Sequence, residues 1–135
     1  MRHPKLIRWE RLMKTMFDEI DDALEDKYGK TFNLHPNRTE RGRTANKEMD
    51  GLFNIGADFS TGYGSSHGRG YVVHIRISTL DHIPEEVRES IKVDVEKMVK
   101  EKLPVTFPGR YLQLKRDGNL LKIIGDFSLG SVLEK

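Results

Sequence analysis

The chain has 135 residues, of which 36% are hydrophobic and 33% charged, with a formal net charge of +2 and no cysteine. That length suits one domain that buries a core without covalent or metal staples, and the missing cysteines exclude disulfides, thiolate-held zinc and thiol nucleophiles. The charge is too small to name a nucleic acid partner by itself, and neither a signal-peptide run nor a membrane-length apolar stretch occurs, so a soluble cytoplasmic protein is expected.

In chain order, residues 4–28 predict an amphipathic helix. Leu6, Trp9, Met13, Met16, Phe17, Ile20 and Leu24 recur every three or four positions, while Asp18, Glu19, Asp21, Asp22 and Glu25 take the other side. Pro4 suits a first turn, and Tyr28-Gly29 suits a stop. Ile7 and Leu12 fall off the stripe, which leaves a broad apolar face for core packing or for a second subunit. Residues 30–50 form a polar connector, too long for an ordinary structureless loop. Within it, Thr44–Met49 are expected to add a helical turn.

Two strands follow. In Leu52–Phe59 the odd positions Phe53, Ile55, Ala57 and Phe59 share a face, and in Tyr71–Thr79 so do Tyr71, Val73, Ile75 and Ile77. A glycine-rich stretch joins them, so an antiparallel hairpin is expected. A second helix is predicted from Pro84 to Lys102, with Val87, Ile91, Val95, Met98 and Leu103 as its buried stripe and Pro104 as its end. Residues 110–115 and 120–127 then form a second hairpin around Arg116-Asp-Gly-Asn119. The tail from 128 to 135 is expected either to lie over a sheet edge or to stay loose. The order αββαββ, with strands in adjacent pairs, predicts a single α+β domain: a two-layer sandwich of a four-stranded antiparallel sheet with both helices on one face.

Function is argued from three clusters. Thr61–Tyr71 contains Gly62, Gly64, Gly68 and Gly70 with Ser65, Ser66, His67 and Arg69. Glycines allow close backbone approach, and successive N–H groups then make an anion-binding concavity. The spacing matches neither a P-loop nor a dinucleotide fingerprint. The connector supplies Arg38, Arg41 and Arg43, whose guanidinium forks suit phosphate, and these are expected to converge with His67 and Arg69 on one anion. Residues 30–76 hold seven basic against four acidic residues, which agrees with that reading.

On the even-numbered face of the first hairpin, a register in which paired residues sum to 132 sets Asp58 across from His74 and Arg76 across from Gly56. A carboxylate so placed orients an imidazole, which is half of a general-base arrangement. The histidines, at 3, 35, 67, 74 and 82, have no metal-ligand spacing on a helix, and no metal or cofactor is expected. The favoured expectation is a non-catalytic module binding a phosphate-bearing partner, RNA or another nucleic acid. Contacts would come from Arg38, Arg41, Arg43, Ser65, Ser66, His67, Arg69 and Arg76, with Tyr63 and Tyr71 stacking on bases. The alternatives are a homo-oligomeric interaction protein and a small enzyme using Asp58 and His74.

Overall fold

A computed structural model describes residues 4–42, 51–60, 70–109, 111–118 and 120–125. It has α1 (Pro4–Tyr28), β1 (Phe53–Ser60), β2 (Gly70–Ile77), α2 (Glu85–Thr106), β3 (Leu112–Asp117) and β4 (Leu120–Gly125). All strand pairs are antiparallel and the sheet order is β1-β2-β4-β3. The architecture is the α+β sandwich that the periodicities predict. The expected helical turn at Thr44–Met49 and the tail at 128–135 lie outside the described residues.

The alternation of the strands decides which face meets the helices. Phe53, Ile55, Tyr71, Val73, Leu121 and Ile123 are buried in one cluster with Trp9, Met13, Met16, Phe17, Ile20 and Leu24 of α1 and Ile91, Val95, Val99 and Leu103 of α2. Trp9 anchors one end, stacked on Phe107 with ring centroids 4.2 Å apart and 6.3 Å from Tyr71. Burial pushes the Tyr71 phenol above its ordinary pKa, with a hydrogen bond from Trp9 pulling the other way. Ile7 and Leu12, off the stripe, are each 36% exposed.

Three local expectations are corrected. α2 runs past Pro104 to Thr106. Proline this near a helix end removes only one intrahelical bond, that to the Lys100 carbonyl. Burial of Leu103 and Phe107, each worth about 1.5–3 kcal/mol, outweighs that loss. The α2 stripe takes Val99 as fully buried, with Val87 and Met98 only partly so. Asp21 and Glu25, read from the sequence as solvent-facing, are both buried.

Two polar ties fix the helices. Lys27 and the Tyr28 hydroxyl both donate to Asp94 Oδ2, at 2.8 and 2.6 Å, joining the end of α1 to the middle of α2. Arg116 on β3 reaches Glu89 and Glu96 of α2 at 2.9 and 3.1 Å. Burial works against the Asp94 carboxylate, but the bonds from Lys27 and Tyr28 outweigh it and hold its pKa below the ordinary 3.8. A depressed carboxyl contributes stability that is present above its unfolded pKa and lost as pH falls through the folded one. Asp94→Ala is therefore expected to cost about 1–2 kcal/mol at pH 7, discounted for partial exposure. The gap to the unsubstituted protein should narrow as urea unfolding is repeated from pH 4 downward. A gap constant across that range would contradict the assignment.

No helix among the described residues is long and apolar enough to cross a membrane.

Candidate functional site

The face of the sheet away from the helices carries the even-numbered residues. On β1 and β2 these are Asn54, Gly56, Asp58, Val72, His74 and Arg76. Their pairing corrects the expected register. Gly56 lies opposite His74, Asn54 opposite Arg76 and Asp58 opposite Val72, so paired residues sum to 130. Both registers keep the odd residues inside, so period-two patterning does not distinguish them.

The observed register gives His74 a different setting from the one foreseen. Its ring lies across from the glycine that offers no side chain, and it is flanked diagonally by the residues two places either side of Gly56. Nδ1 lies 3.1 Å from Asp58 Oδ2, and Nε2 lies 3.3 Å from Asn54 Oδ1. The Asp58–His74 contact thus survives the two-residue slip as a diagonal pair, and Asn54 completes it. Asn54 belongs to the even-numbered set in the sequence, but its role appears only once the register is fixed. Each ring nitrogen thus has a side-chain oxygen within hydrogen-bond distance. His74 is 27% exposed and Asp58 82% exposed, so water screens their pairing.

Arg76 is exposed at the next even position of β2, and no described hydrogen bond or ion pair engages its guanidinium. Across the sheet, Lys122 pairs with Val72 on one side and Lys115 on the other, so both lysines stand on this face. Lys122 is 2% exposed, and Lys115 is exposed.

The connector arginines do different work. Arg38 Nε donates to the Gly51 carbonyl at 2.9 Å and its Nη2 donates to the Phe53 carbonyl at 3.2 Å. The Phe53 N–H donates to Glu25 Oε1 at 2.9 Å. The Ser78 N–H bonds the Leu52 carbonyl, so even residues of β1 face β2 and Phe53 turns its backbone groups to the sheet edge. Glu25 and Arg38 therefore stand in for a neighbouring strand, a device that blocks pairing at an exposed edge. Nothing in the spacing of Glu25 on α1 announces this role, because the residue flanks the apolar stripe like any solvated carboxylate.

Arg41 binds Asp26 at 2.9 Å and Asp22 at 3.2 Å, tying the connector to α1. Both arginines sit at the start of β1, whereas the glycine-rich tip leaves the sheet at Ser60 and Gly70. Eight strand residues, about 25 Å, separate the two ends. The expected convergence of Arg38 and Arg41 with His67 and Arg69 involves residues outside the described ones. Arg43, Ser65, Ser66, His67, Arg69 and Tyr63 lie outside the described residues. Tyr71, expected to stack on bases, is instead buried against Trp9 on the helix side. No cluster of three or more metal-ligating side chains occurs among the described residues.

No solved structure matches this chain. A protein of Borreliella burgdorferi described as an uncharacterized protein is 37% identical over 127 residues, covering 94% of this chain and 99% of that relative. A family model described as an uncharacterised protein matches residues 4–125, from the first turn of α1 to the last residue of β4. The chain belongs to that family, and the family's extent is the extent of the αββαββ fold.

Proposed function

We propose that this protein is a cytoplasmic, non-catalytic module that binds a phosphate-bearing partner, RNA or another nucleic acid, on the outer face of its sheet. The observation that carries this reading is Arg76. Arg38 and Arg41 of the same basic section are engaged by the Gly51 and Phe53 carbonyls and by α1 carboxylates, while Arg76 stands exposed on the face opposite α1 and α2, with no partner among the described residues. Guanidinium groups recognise phosphate bidentately and stack on base planes. Exposed Lys115 adds positive charge on that face, and in the sequence the tip residues Ser65, Ser66, His67 and Arg69 lie between the same two strands. The Asn54–His74–Asp58 set flanks Arg76 and supports a polar platform in place of catalysis.

A fluorescence anisotropy titration with a labelled single-stranded RNA tests it. Binding at 50 mM salt is expected to weaken steeply by 200 mM, as counterion release requires. Arg76→Ala should lower affinity about five- to tenfold and reduce the salt slope by about 0.7, one phosphate contact. Absence of binding at 50 mM salt would overturn the proposal. Self-association through Ile7 and Leu12 is the alternative, and sedimentation of a concentrated sample as a clean monomer would remove it.

A further inference from the structure

Among the described residues β3 is the outermost strand at its end of the sheet, and one side of its backbone has no strand neighbour there. Beside it runs the C-terminal half of α2. Between them lies a groove of about 270 Å³ lined by Lys100, Leu103, Pro104 and the four successive residues Leu112, Gln113, Leu114 and Lys115. Alternate side chains of a strand point to opposite faces, so a groove lined by four in succession is walled by the backbone itself. Among the described residues, no backbone hydrogen bond outside the β3–β4 ladder reaches residues 112–115. On the opposite wall, Pro104 lacks the N–H that would otherwise donate to the Lys100 carbonyl.

The chemistry of the walls is two-sided. Leu103 and Leu114 are buried at the base, and Leu112 is partly buried. Lys100 and Lys115 are exposed, one on each wall. Lys100, its side chain 58% exposed, has Glu96 one helical turn away at 3.6 Å.

We propose that this groove takes an extended acidic peptide, which adds as a fifth strand beside β3. Unpaired N–H and C=O groups along an edge select an extended backbone, and pockets for alternate side chains select the sequence. Apolar side chains of the peptide pack toward Leu103 and Leu114 on the helix side, and carboxylates at the alternate positions face the other way, beside Lys115. The proposal does not rest on the nucleic acid reading: the two surfaces share only Lys115, and the peptide's backbone contacts lie along the β3 edge.

The test is a titration of ¹⁵N-labelled protein with a capped heptapeptide alternating valine and glutamate, followed by amide chemical shifts. Saturable shifts are expected at Leu112, Gln113, Leu114 and Lys115. Methylating the alternate backbone nitrogens that face β3, or replacing the glutamates by lysine, should each weaken binding about tenfold or more. Lys115→Glu should weaken it similarly without lowering the melting temperature, and Arg76→Ala should leave it unchanged. The proposal fails if those amides stay still up to the peptide's solubility limit, or if the N-methylated peptide binds as well. It also fails if the same amides shift with protein concentration alone, since a second copy would then occupy the groove.

Discussion

Replacing Phe53 by alanine is expected to cost about 3–5 kcal/mol, a large part of the 5–15 kcal/mol that holds a domain of this kind together. Phe53 is completely buried and meets the Tyr28 ring edge-on with centroids 6.3 Å apart. Its backbone is gripped by Glu25 and Arg38, so the surroundings have little freedom to close on the void. Phe59 is the matched control. It lies on the same face of the same strand but is 54% exposed, and Phe59→Ala should cost less than about 1 kcal/mol. Urea unfolding of both variants measures the contrast. Should Phe53→Ala prevent folding, Phe53→Leu gives a smaller version of the same loss. Equal losses at the two positions would refute the placement of the core at the Phe53 end of β1.

Gly51→Ala should destabilise by about 2–4 kcal/mol through two causes that can be separated. Gly51 has φ 74°, in the left-handed region where a Cβ costs about 1–2 kcal/mol. An added Cβ would also overlap the Glu25 carboxylate, the group that accepts the Phe53 N–H. Overpacking of that kind costs a further 1–3 kcal/mol, roughly. Glu25→Ala alone strands the Phe53 N–H in the interior and should cost about 1.5–3 kcal/mol. In the double variant the clash is gone, so Gly51→Ala should add only its backbone strain. The double variant is therefore expected to be clearly more stable than the sum of the single losses predicts. Simple additivity in urea unfolding would mean that the carboxylate is not where the edge-capping arrangement requires it.

The glycine at 51 and the arginine at 38 illustrate why much of the candidate site stays illegible before folding. Arg38 sits in a basic stretch and reads as a phosphate ligand, because a side chain's partner is not a local property. Its acceptors are carbonyls thirteen and fifteen residues away, and they come within reach only when the connector crosses the start of β1. Glu25 is the same case from the helix side. Arg76 differs, because its exposure follows from strand alternation alone: an even-numbered residue on β2 faces away from the helices whatever the register. The pairing of His74 lies between these extremes. Its face was readable, and its Asp58 contact was reached through a register that the structure replaces.

Taken alone, the order of residues determined two amphipathic helices, four strands, their antiparallel pairing in hairpins and the inward set of odd-numbered side chains on β1 and β2. Those features depend on periods of 3.6 and 2, which are written in near neighbours along the chain. The tertiary structure decided the sum of 130 in place of 132, the strand order β1-β2-β4-β3, the persistence of α2 through Pro104 and the burial of Asp21 and Glu25. Each of these is a choice among arrangements that local patterning leaves nearly equal in energy, and only contacts between distant segments separate them.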